Sequence, residues 1–290
     1  MLRCFVLSGF LLVSYHSHSQ SYDQETAKAV KAYSENRPDS CVYFFNQAFR
    51  LAAANGSDLY NAAICNLLNG NSKRCVAFLN EAIMRGINIS KLKIDPDLEL
   101  LHTQKNWAKL LIKAEKVQKN QFNNTEFPEE AKQLATLWEN DQYWRFRLGK
   151  AYDKKDTLAT KQTWGKLMPL DSLNLIQLQL IIDRIGWPGI SKVGRSGANT
   201  AFLIIDHSPR ETMEKYFPLL EASARKGEAS LSGYATMKDR ILVNRGQKQI
   251  YGTQRYWDSA GKKFIYFPIE DESNVNDRRK EVGLEPLKDF

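Results

Sequence analysis

The chain has 290 residues, of which 43% are hydrophobic and 26% are charged. This composition is ordinary for a folded globular protein and excludes a chain that is mainly disordered. The net charge of +8 is spread evenly, with 14 basic and 11 acidic side chains in residues 21–126 and 26 and 22 in residues 127–290. Nucleic-acid-binding proteins usually concentrate basic residues on one face. We therefore expect no nucleic-acid partner.

Residues 1–19 have the pattern of a signal peptide. Arg3 precedes an apolar run, residues 4–13, and small polar residues follow up to Gln20. Ten apolar residues are too few to span a bilayer as a helix, but they suit the apolar region of a secretory leader. A short buried N-terminal helix is the alternative. The pattern predicts cleavage before Gln20 and a periplasmic or secreted protein without a transmembrane segment.

Residues 20–120 contain an internal repeat with a period of 34 residues. Four apolar pairs align at this offset: Ala29 with Ala63, Cys41 with Cys75, Phe45 with Leu79, and Ala48 with Ala82. Within each unit the last three residues share one helical face, and the first lies on the preceding helix. The period and this layout resemble the tetratricopeptide repeat. The resemblance implies helical hairpins with a concave surface that recruits a protein or peptide partner.

Three cysteines remain after the leader is removed. The repeat places Cys41 and Cys75 at the helix crossing, where a small side chain has a packing role. Cys65 lies on the intervening helix and could reach either of them. We expect packing rather than chemistry here, and the disulfide state stays open because an exported protein permits both forms.

A polar stretch, residues 118–127, separates the repeat from a second region, residues 128–290, in which Pro128 restarts a helix. Helical patterns then predict helices from residue 129 onward, over 172–185 with Asp171 as N-cap, over about 191–206, from 210 to about 226 behind a capping box that begins at Ser208, and over 230–243.

The hydrophobic period changes to two near the C-terminus. Residues 249–254 and 262–269 alternate in polarity, and residues 258–261 are turn formers, so the pattern predicts a β-hairpin that packs on the helices. A short helix that ends at Gly283 follows. The predicted fold is mainly α, with N-terminal tetratricopeptide-like helical hairpins and a C-terminal helical domain bearing a β-hairpin.

Several short motifs in residues 128–290 carry a family resemblance. They are Asp141-Gln142 with Arg145, Gly186-Trp187-Pro188, His207, Asp239-Arg240, the run from Gln249 to Gln254, and Asp277-Arg278-Arg279 with Gly283-Leu284. Together they resemble the bacterial domain-of-unknown-function family 6624, and the Tyr-Gly-Thr-Gln string is the most specific part. This chain has Asp206 where the family pattern has glutamine. The resemblance implies a fold unit and a set of positions, and it implies no activity.

His207 is the candidate acid or base. It is predicted at a helix C-terminus, where the carbonyl groups favour the protonated imidazole. Beside Asp206, or oriented by Asp239, it could transfer protons in catalysis. The alternative is a histidine that only caps the helix.

The remaining candidates are ligand-binding residues. Arg240 could anchor a carboxylate or phosphate, or instead pair with Asp141 or Glu270. Gln254, if it faces the helices, must be hydrogen-bonded by a ligand or by Arg240. Trp187 is most simply a residue that covers the core. The full candidate ligand-binding set is Arg240, Gln254, Tyr251, Asp141, Gln142 and Trp187.

The sequence contains no metal-spaced histidine or cysteine motif, no phosphate-binding glycine loop and no Gly-x-Ser-x-Gly motif. We therefore predict no metal and no cofactor. Two hypotheses follow. The first is an exported binding module whose polar cleft around His207, Arg240 and Gln254 takes a small anionic ligand. The second is a hydrolase or transferase of the cell envelope that uses His207 as its general acid or base.

Overall fold

The computed structural model describes the backbone of residues 9–287 and the side chains of residues 21–287. The N-terminal part begins with two helical hairpins, in which α1 pairs with α2 and α3 pairs with α4. These helices are α1 (Gly9–Ser34), α2 (Pro38–Leu51), α3 (Gly56–Leu68) and α4 (Ser72–Met84). Residues 1–8 of the predicted leader lie outside the described residues, and residues 9–19 begin α1. Processing of the leader stays a prediction.

The residues that define the 34-residue period form the core of the two hairpins. All eight are at most 1% exposed: Ala29, Ala63, Cys41, Cys75, Phe45, Leu79, Ala48 and Ala82. The turn between α1 and α2 contains Asn36 with a φ of 54°, and the turn between α3 and α4 contains Gly70 with a φ of 77°. Both turns require the left-handed backbone region, which asparagine and glycine adopt most readily.

A disulfide joins Cys41 on α2 to Cys65 on α3, with Cα atoms 5.9 Å apart. The expectation that packing alone explains Cys41 is therefore wrong, because this small residue also cross-links the two hairpins. Cys75 is a buried free thiol, and burial raises its pKa to about 12. Few Cys75 thiolates form near neutral pH, so the native residue has little nucleophilic character.

Further helix follows the two hairpins. It comprises α5 (Ser90–Ile94), a 3₁₀ helix (Pro96–Leu101) and α6 (Lys105–Asn123). The Asp95 side chain caps the 3₁₀ helix by accepting from the Asp97 N–H. Leu92, Leu98 and Trp107 join the core of the hairpins. This segment therefore covers apolar surface that the second hairpin would otherwise expose.

The C-terminal part contains the remaining helices and a two-stranded sheet. In chain order these are α7 (Pro128–Asp153), α8 (Thr157–Ile185), α9 (Ile190–Asp206), α10 (Arg210–Arg225), α11 (Leu231–Asn244), β1 (Arg255–Asp258), β2 (Lys263–Tyr266), a 3₁₀ helix (Glu272–Asn274) and α12 (Val275–Glu281). By its internal contacts the chain divides into two compact units, Met1–Lys119 and Asn120–Phe290, which we call the N-terminal and C-terminal units.

Helix α9 crosses the centre of the C-terminal unit. Its residues Ala201, Ile204 and Ile205 pack in one core with side chains of α7, α8, α10 and α11. A Cβ atom at Gly197 would come within 3.3 Å of Leu134 on α7, so the small residue permits the close approach of α7. The predicted helix over about 191–206 is confirmed. Gly194 adds a kink, with a φ of 76°.

Two local predictions in this unit are wrong. Asp171 does not cap a helix, because α8 runs unbroken from Thr157 through Pro169, and Asp156 is its N-cap. The predicted capping box at Ser208 is also absent. The Ser208 hydroxyl donates instead to the Ile204 carbonyl at 2.7 Å, and α10 begins after Pro209 without a side-chain cap.

The β-hairpin forms, but its first strand is displaced toward the C-terminus. The paired residues are 255–258 and 263–266, and the turn at 258–261 is as predicted. Residues 249–254 alternate like a strand, yet the N–H groups of residues 250, 251, 253 and 254 bond to side chains. Gln249 makes a backbone bridge to the segment around Ile269. The strands are also more exposed than expected: Tyr266 packs on a small core, but Trp257 and Phe264 are more than half exposed. Among the described residues, no helix combines the length and apolar character needed to cross a bilayer.

Candidate functional site

The polar site centres on His207, which follows the last residue of α9. Its Nδ1 lies 3.0 Å from Oδ1 of Asp141 on α7. An ionised carboxylate only accepts hydrogen bonds, so Nδ1 carries the hydrogen in this pair. In the described part of the chain nothing bonds to Nε2, and the His207 side chain is 21% exposed. The ring is therefore held at one nitrogen and open at the other.

The carboxylate that holds His207 is itself held by Arg145, one helical turn further along α7. Arg145 Nη1 lies 3.0 Å from Asp141 Oδ1, and the guanidinium also makes two 2.9 Å bonds to Asp171 of α8. Gln142 donates to the other Asp141 oxygen at 2.6 Å. The Asp141 side chain is only 2% exposed. This network fixes the carboxylate and, through it, the orientation of the imidazole.

A second ion pair lies next to this network. Nη1 of Arg240 on α11 donates to the Asp206 carbonyl at 2.8 Å and lies 3.0 Å from the Asp206 carboxylate. Burial raises the pKa of Asp206, although the nearby Arg240 opposes this shift. The Asp206 Oδ1 atom is buried and has no hydrogen-bond partner among the described residues. Arg240 is 34% exposed, and its other guanidinium nitrogens make no hydrogen bond within the described residues.

Asp239, the neighbour of Arg240, points the other way on α11, as adjacent helical residues do. Its carboxylate accepts from the N–H groups of residues 250, 251 and 253 and from the Thr253 hydroxyl, at 2.7 to 3.2 Å. Asp239 is fully buried. The structure therefore corrects its expected role: it organises the loop of residues 249–254, and Asp141 is the carboxylate that contacts His207.

Gln254 belongs to the same loop. Its side-chain nitrogen donates to Thr253 Oγ1 at 3.0 Å and to the Thr236 carbonyl at 3.4 Å. The expectation of a bond to Arg240 is wrong. The buried Gln249 side chain completes the loop, because it accepts from the Gln254 N–H and donates to the Gln254 carbonyl.

Two arginines of α12 bind the backbone carbonyl groups of this loop. Arg278 Nε donates to the Ile250 carbonyl at 2.9 Å, and Arg279 Nη1 donates to the Tyr251 carbonyl at 2.6 Å. The loop thus has a carboxylate on its N–H groups and guanidinium groups on its carbonyls. We call Asp239, Gln249, Arg278, Arg279 and residues 250–254 the loop cluster.

The last two predicted ligand-binding residues are placed elsewhere. The Tyr251 and Tyr234 rings meet edge to face, with their centroids 6.4 Å apart. Trp187 is 7% exposed and belongs to the core of the C-terminal unit. It precedes α9, whereas His207 follows α9, so the two residues lie at opposite ends of this kinked helix.

The structure thus divides the predicted site residues. Asp141, Gln142, His207 and Arg240 surround one site, which we call the polar site, together with Arg145, Asp171 and Asp206. Asp239, Tyr251 and Gln254 belong to the loop cluster. Sequence reasoning missed Asp171 as a site residue. The opposite charges of Asp141 and Arg145 at helical spacing are a signal for their pairing, but no local signal links either residue to Asp171.

The polar site is rich in paired charges and is not arranged for a metal. Three aspartates face two arginines and one histidine. The numbers of negative and positive charges in the site are therefore equal when His207 carries a proton on both nitrogens. Over residues whose side chains are described, no group of three histidine, cysteine, aspartate or glutamate residues is placed to hold a metal ion.

Comparison with known proteins gives one match. The model of a family of unknown function (DUF6624) matches residues 128–290, which is more than half of the chain. No curated protein and no solved structure matches the chain. The matched range contains the whole polar site and the whole loop cluster. The chain belongs to this family of unknown function, DUF6624.

Proposed function

We propose that this protein is an exported binding protein whose C-terminal unit takes an anionic group at the polar site. The observation that carries the proposal is a pair of side chains, Arg240 and His207, that leave polar atoms open at the surface of the site. The other guanidinium nitrogens of Arg240 make no hydrogen bond within the described residues, and nothing described bonds to Nε2 of His207. Each side chain contacts a buried carboxylate, Asp206 in the case of Arg240 and Asp141 in the case of His207. The open guanidinium N–H groups are preorganised donors for carboxylate or phosphate oxygens, and Nε2 also donates in the form of the ring that carries both hydrogens.

Calorimetric titration with inorganic phosphate and with succinate tests the proposal. Arg240→Lys keeps the charge beside Asp206 but removes the planar fork, so binding should weaken about tenfold, as expected for one charged hydrogen bond. His207→Gln should weaken binding similarly. The matched control is Arg245→Lys, which changes an exposed arginine paired with Glu214. Equal affinities in all four proteins would contradict the proposal.

The second candidate is an enzyme, because one observation favours proton transfer. A buried carboxylate that orients an imidazole whose other nitrogen is open is an arrangement suited to general acid or base catalysis. Asp141 takes the orienting role in this version. Among the described residues no hydroxyl or thiol is hydrogen-bonded to His207, so water would be the nucleophile of such a hydrolase.

An activity screen separates the two candidates. Phosphate-ester, acyl-ester and glycoside substrates would be incubated with the wild type and with the His207→Gln, Asp141→Asn and Arg245→Lys variants. Turnover that disappears in the first two variants and survives in the third supports the hydrolase. No turnover together with phosphate or succinate binding supports the binding protein.

The N-terminal unit supports a second binding role. A groove of about 760 Å³ lies along α2, α3 and α4, a volume typical of ligand sites. Its lining includes Phe49 and Phe78, three arginines and one glutamate. We propose a peptide partner here. Peptides selected by display should lose affinity for an Arg74→Glu variant and keep it for Lys109→Glu, a change on an exposed face of α6. Equal loss in both variants would contradict the groove as the site.

Export rests on the leader pattern and on the disulfide. The bond between Cys41 and Cys65 is of a kind that persists in the periplasm or outside the cell. Expression of the full chain in a bacterial host, followed by fractionation and N-terminal sequencing, should give a periplasmic or secreted chain that begins at Gln20. A cytoplasmic chain that still begins at Met1 would contradict export.

A further inference from the structure

The paired helices α7 and α8 extend beyond the core of the C-terminal unit. The residues that belong to this core are Ala131, Leu134 and Leu137 on α7 and Leu178, Ile181 and Ile182 on α8. Farther along the two helices, Leu148, Ala151 and Leu167 are buried outside this core. His207 ends α9 at the level of Asp141. Helix α7 continues for 12 residues past that level, which is about 18 Å. The far end of this helical pair, residues 150–168, is called the hairpin tip.

The hairpin tip exposes large apolar and aromatic side chains. Tyr152 is 54% exposed, Leu158 is 65%, Trp164 is 44% and Met168 is 67%. Trp164 Nε1 donates to the Tyr152 hydroxyl at 3.0 Å, so the polar atoms of the two aromatic residues engage each other while the rings stay at the surface. Large apolar side chains that are exposed together on a protein surface mark an interaction site, so these residues point to a partner.

The same tip is basic. It contains five lysines, Lys150, Lys154, Lys155, Lys161 and Lys166, against two aspartates, Asp153 and Asp156. Asp156 caps α8 by accepting from the Ala159 N–H, so its charge faces the helix terminus. A notch of about 560 Å³ between Tyr152 and Trp164 is lined by Lys155 and Lys161 and by no acidic side chain. The aromatic pair thus lies in positive surroundings.

We propose that the hairpin tip docks on an anionic membrane surface. Tryptophan and tyrosine are the residues that favour the bilayer interface, because their rings enter the boundary region while their polar atoms stay near the headgroups. Lysines beside them are attracted to anionic headgroups. All five cations of the tip are lysines, which act as point charges and suit a diffuse negative surface, whereas recognition of an acidic protein favours the arginine fork.

Co-sedimentation of the full chain with vesicles tests the proposal. We expect binding to phosphatidylcholine vesicles that contain phosphatidylglycerol, little binding to pure phosphatidylcholine vesicles, and weaker binding as salt is added. Each lysine near an anionic surface contributes about fivefold in affinity. Lys155→Gln with Lys161→Gln should therefore weaken binding about 25-fold. The matched control, Lys105→Gln with Lys109→Gln, removes the same charge from exposed positions on α6.

A fluorescence measurement tests insertion separately from charge. Lipids brominated on their acyl chains should quench the tryptophan emission of the wild type. Trp164→Phe should remove most of that quenching, and Trp257→Phe, a change at another exposed tryptophan, should retain it. Circular dichroism establishes that each variant is folded.

Three results of the vesicle experiments would overturn the proposal. They are no binding to the anionic vesicles, equal loss of binding in the two double-lysine variants, and quenching that depends on Trp257 instead of Trp164. A dimer in light scattering that Trp164→Phe dissociates, without vesicle binding, would also overturn it and would identify a second copy of the chain as the occupant.

Discussion

His207 and Asp141 form the contact on which the polar site depends. Their positions are 66 residues apart in the chain, so no local pattern of residue types predicts the bond. The sequence identifies His207 by its place at a helix end, and it identifies Asp141 through the family resemblance. It assigns the histidine to Asp206 or Asp239, both of which are nearer to it in the chain. The true partner depends on how α7 packs on α9.

Asp206 should make the stability of the protein depend on pH. Burial raises its pKa above the ordinary value of 3.8, so the native state holds this proton to higher pH than the unfolded chain does. The stability contributed by this group is therefore lost as the pH rises through the window above 3.8. The Asp206→Asn variant has no ionisable group at this position and serves as the reference.

Urea unfolding of both proteins between about pH 4 and about pH 7 measures this effect. The free energy of unfolding of the wild type, minus that of Asp206→Asn, should fall with rising pH. If this difference in the free energy of unfolding rises instead, the attraction of Arg240 lowers the pKa of Asp206 more than burial raises it.

Asp239 should be essential for the loop of residues 249–254. Asp239→Ala would leave three partly buried N–H groups without their acceptor, which should cost about 3 kcal/mol of the free energy of unfolding. Hydrogen exchange at residues 250–253 should accelerate. The control is Asp258→Ala, whose carboxylate accepts two N–H groups in an exposed turn. Unchanged protection of the loop in Asp239→Ala would contradict the holding role.

At the scale of elements, the helices are more predictable from the sequence than the β-hairpin. The repeat hairpins follow from the period of small and large apolar residues, since that pattern is local and each position is buried as expected. Residues 249–254 also have a local pattern, but Asp239 and Gln249 take their hydrogen bonds. Alternation of polarity shows only where side chains point. It does not show whether a strand or a side chain satisfies the backbone.

Gly252 should tolerate substitution worse than another glycine of the same backbone class. Its φ is 66°, and an added Cβ would lie within 2.9 Å of Leu287 and Ile269. Gly252→Ala should therefore cost backbone strain plus overpacking, about 2 to 4 kcal/mol together. Gly283 has a φ of 71°, and an added Cβ there would have no neighbour within 4 Å among the described residues, so Gly283→Ala should cost only about 1 kcal/mol.

Thermal unfolding monitored by circular dichroism compares the two variants. Equal losses would show that the core of Ile269 and Leu287 yields easily to the extra methyl group, and that the Tyr-Gly-Thr-Gln string is not shaped by close packing.

At the scale of the molecule, the chain combines two compact units with separate cores. The sequence predicts both regions, because a polar stretch at residues 118–127 follows the repeat and Pro128 restarts a helix. The helical hairpins and the two-stranded sheet confirm the predicted fold class. The disulfide could not be predicted, since the repeat explains Cys41 equally well as a small packing residue.

Reduction of the disulfide should affect the two units differently. The bond closes a segment with a sequence separation of 24, so its loss should cost the N-terminal unit about 3 kcal/mol. Hydrogen exchange with and without dithiothreitol should show faster exchange in α2 and α3 and unchanged exchange in α9. Alkylation should label Cys75 only after unfolding. Hydrogen exchange that accelerates equally in α9 would contradict the prediction that the disulfide stabilises only the N-terminal unit.

The central claim is that the polar site binds an anionic group, and nuclear magnetic resonance of the histidine side chains tests it most directly. Inorganic phosphate would be titrated into the full chain at constant pH and ionic strength. We predict a saturable shift of the His207 ring signals that Arg240→Lys weakens and Arg245→Lys leaves unchanged. A His207 signal that stays constant, or that follows phosphate no more than the exposed His102 does, would contradict the claim.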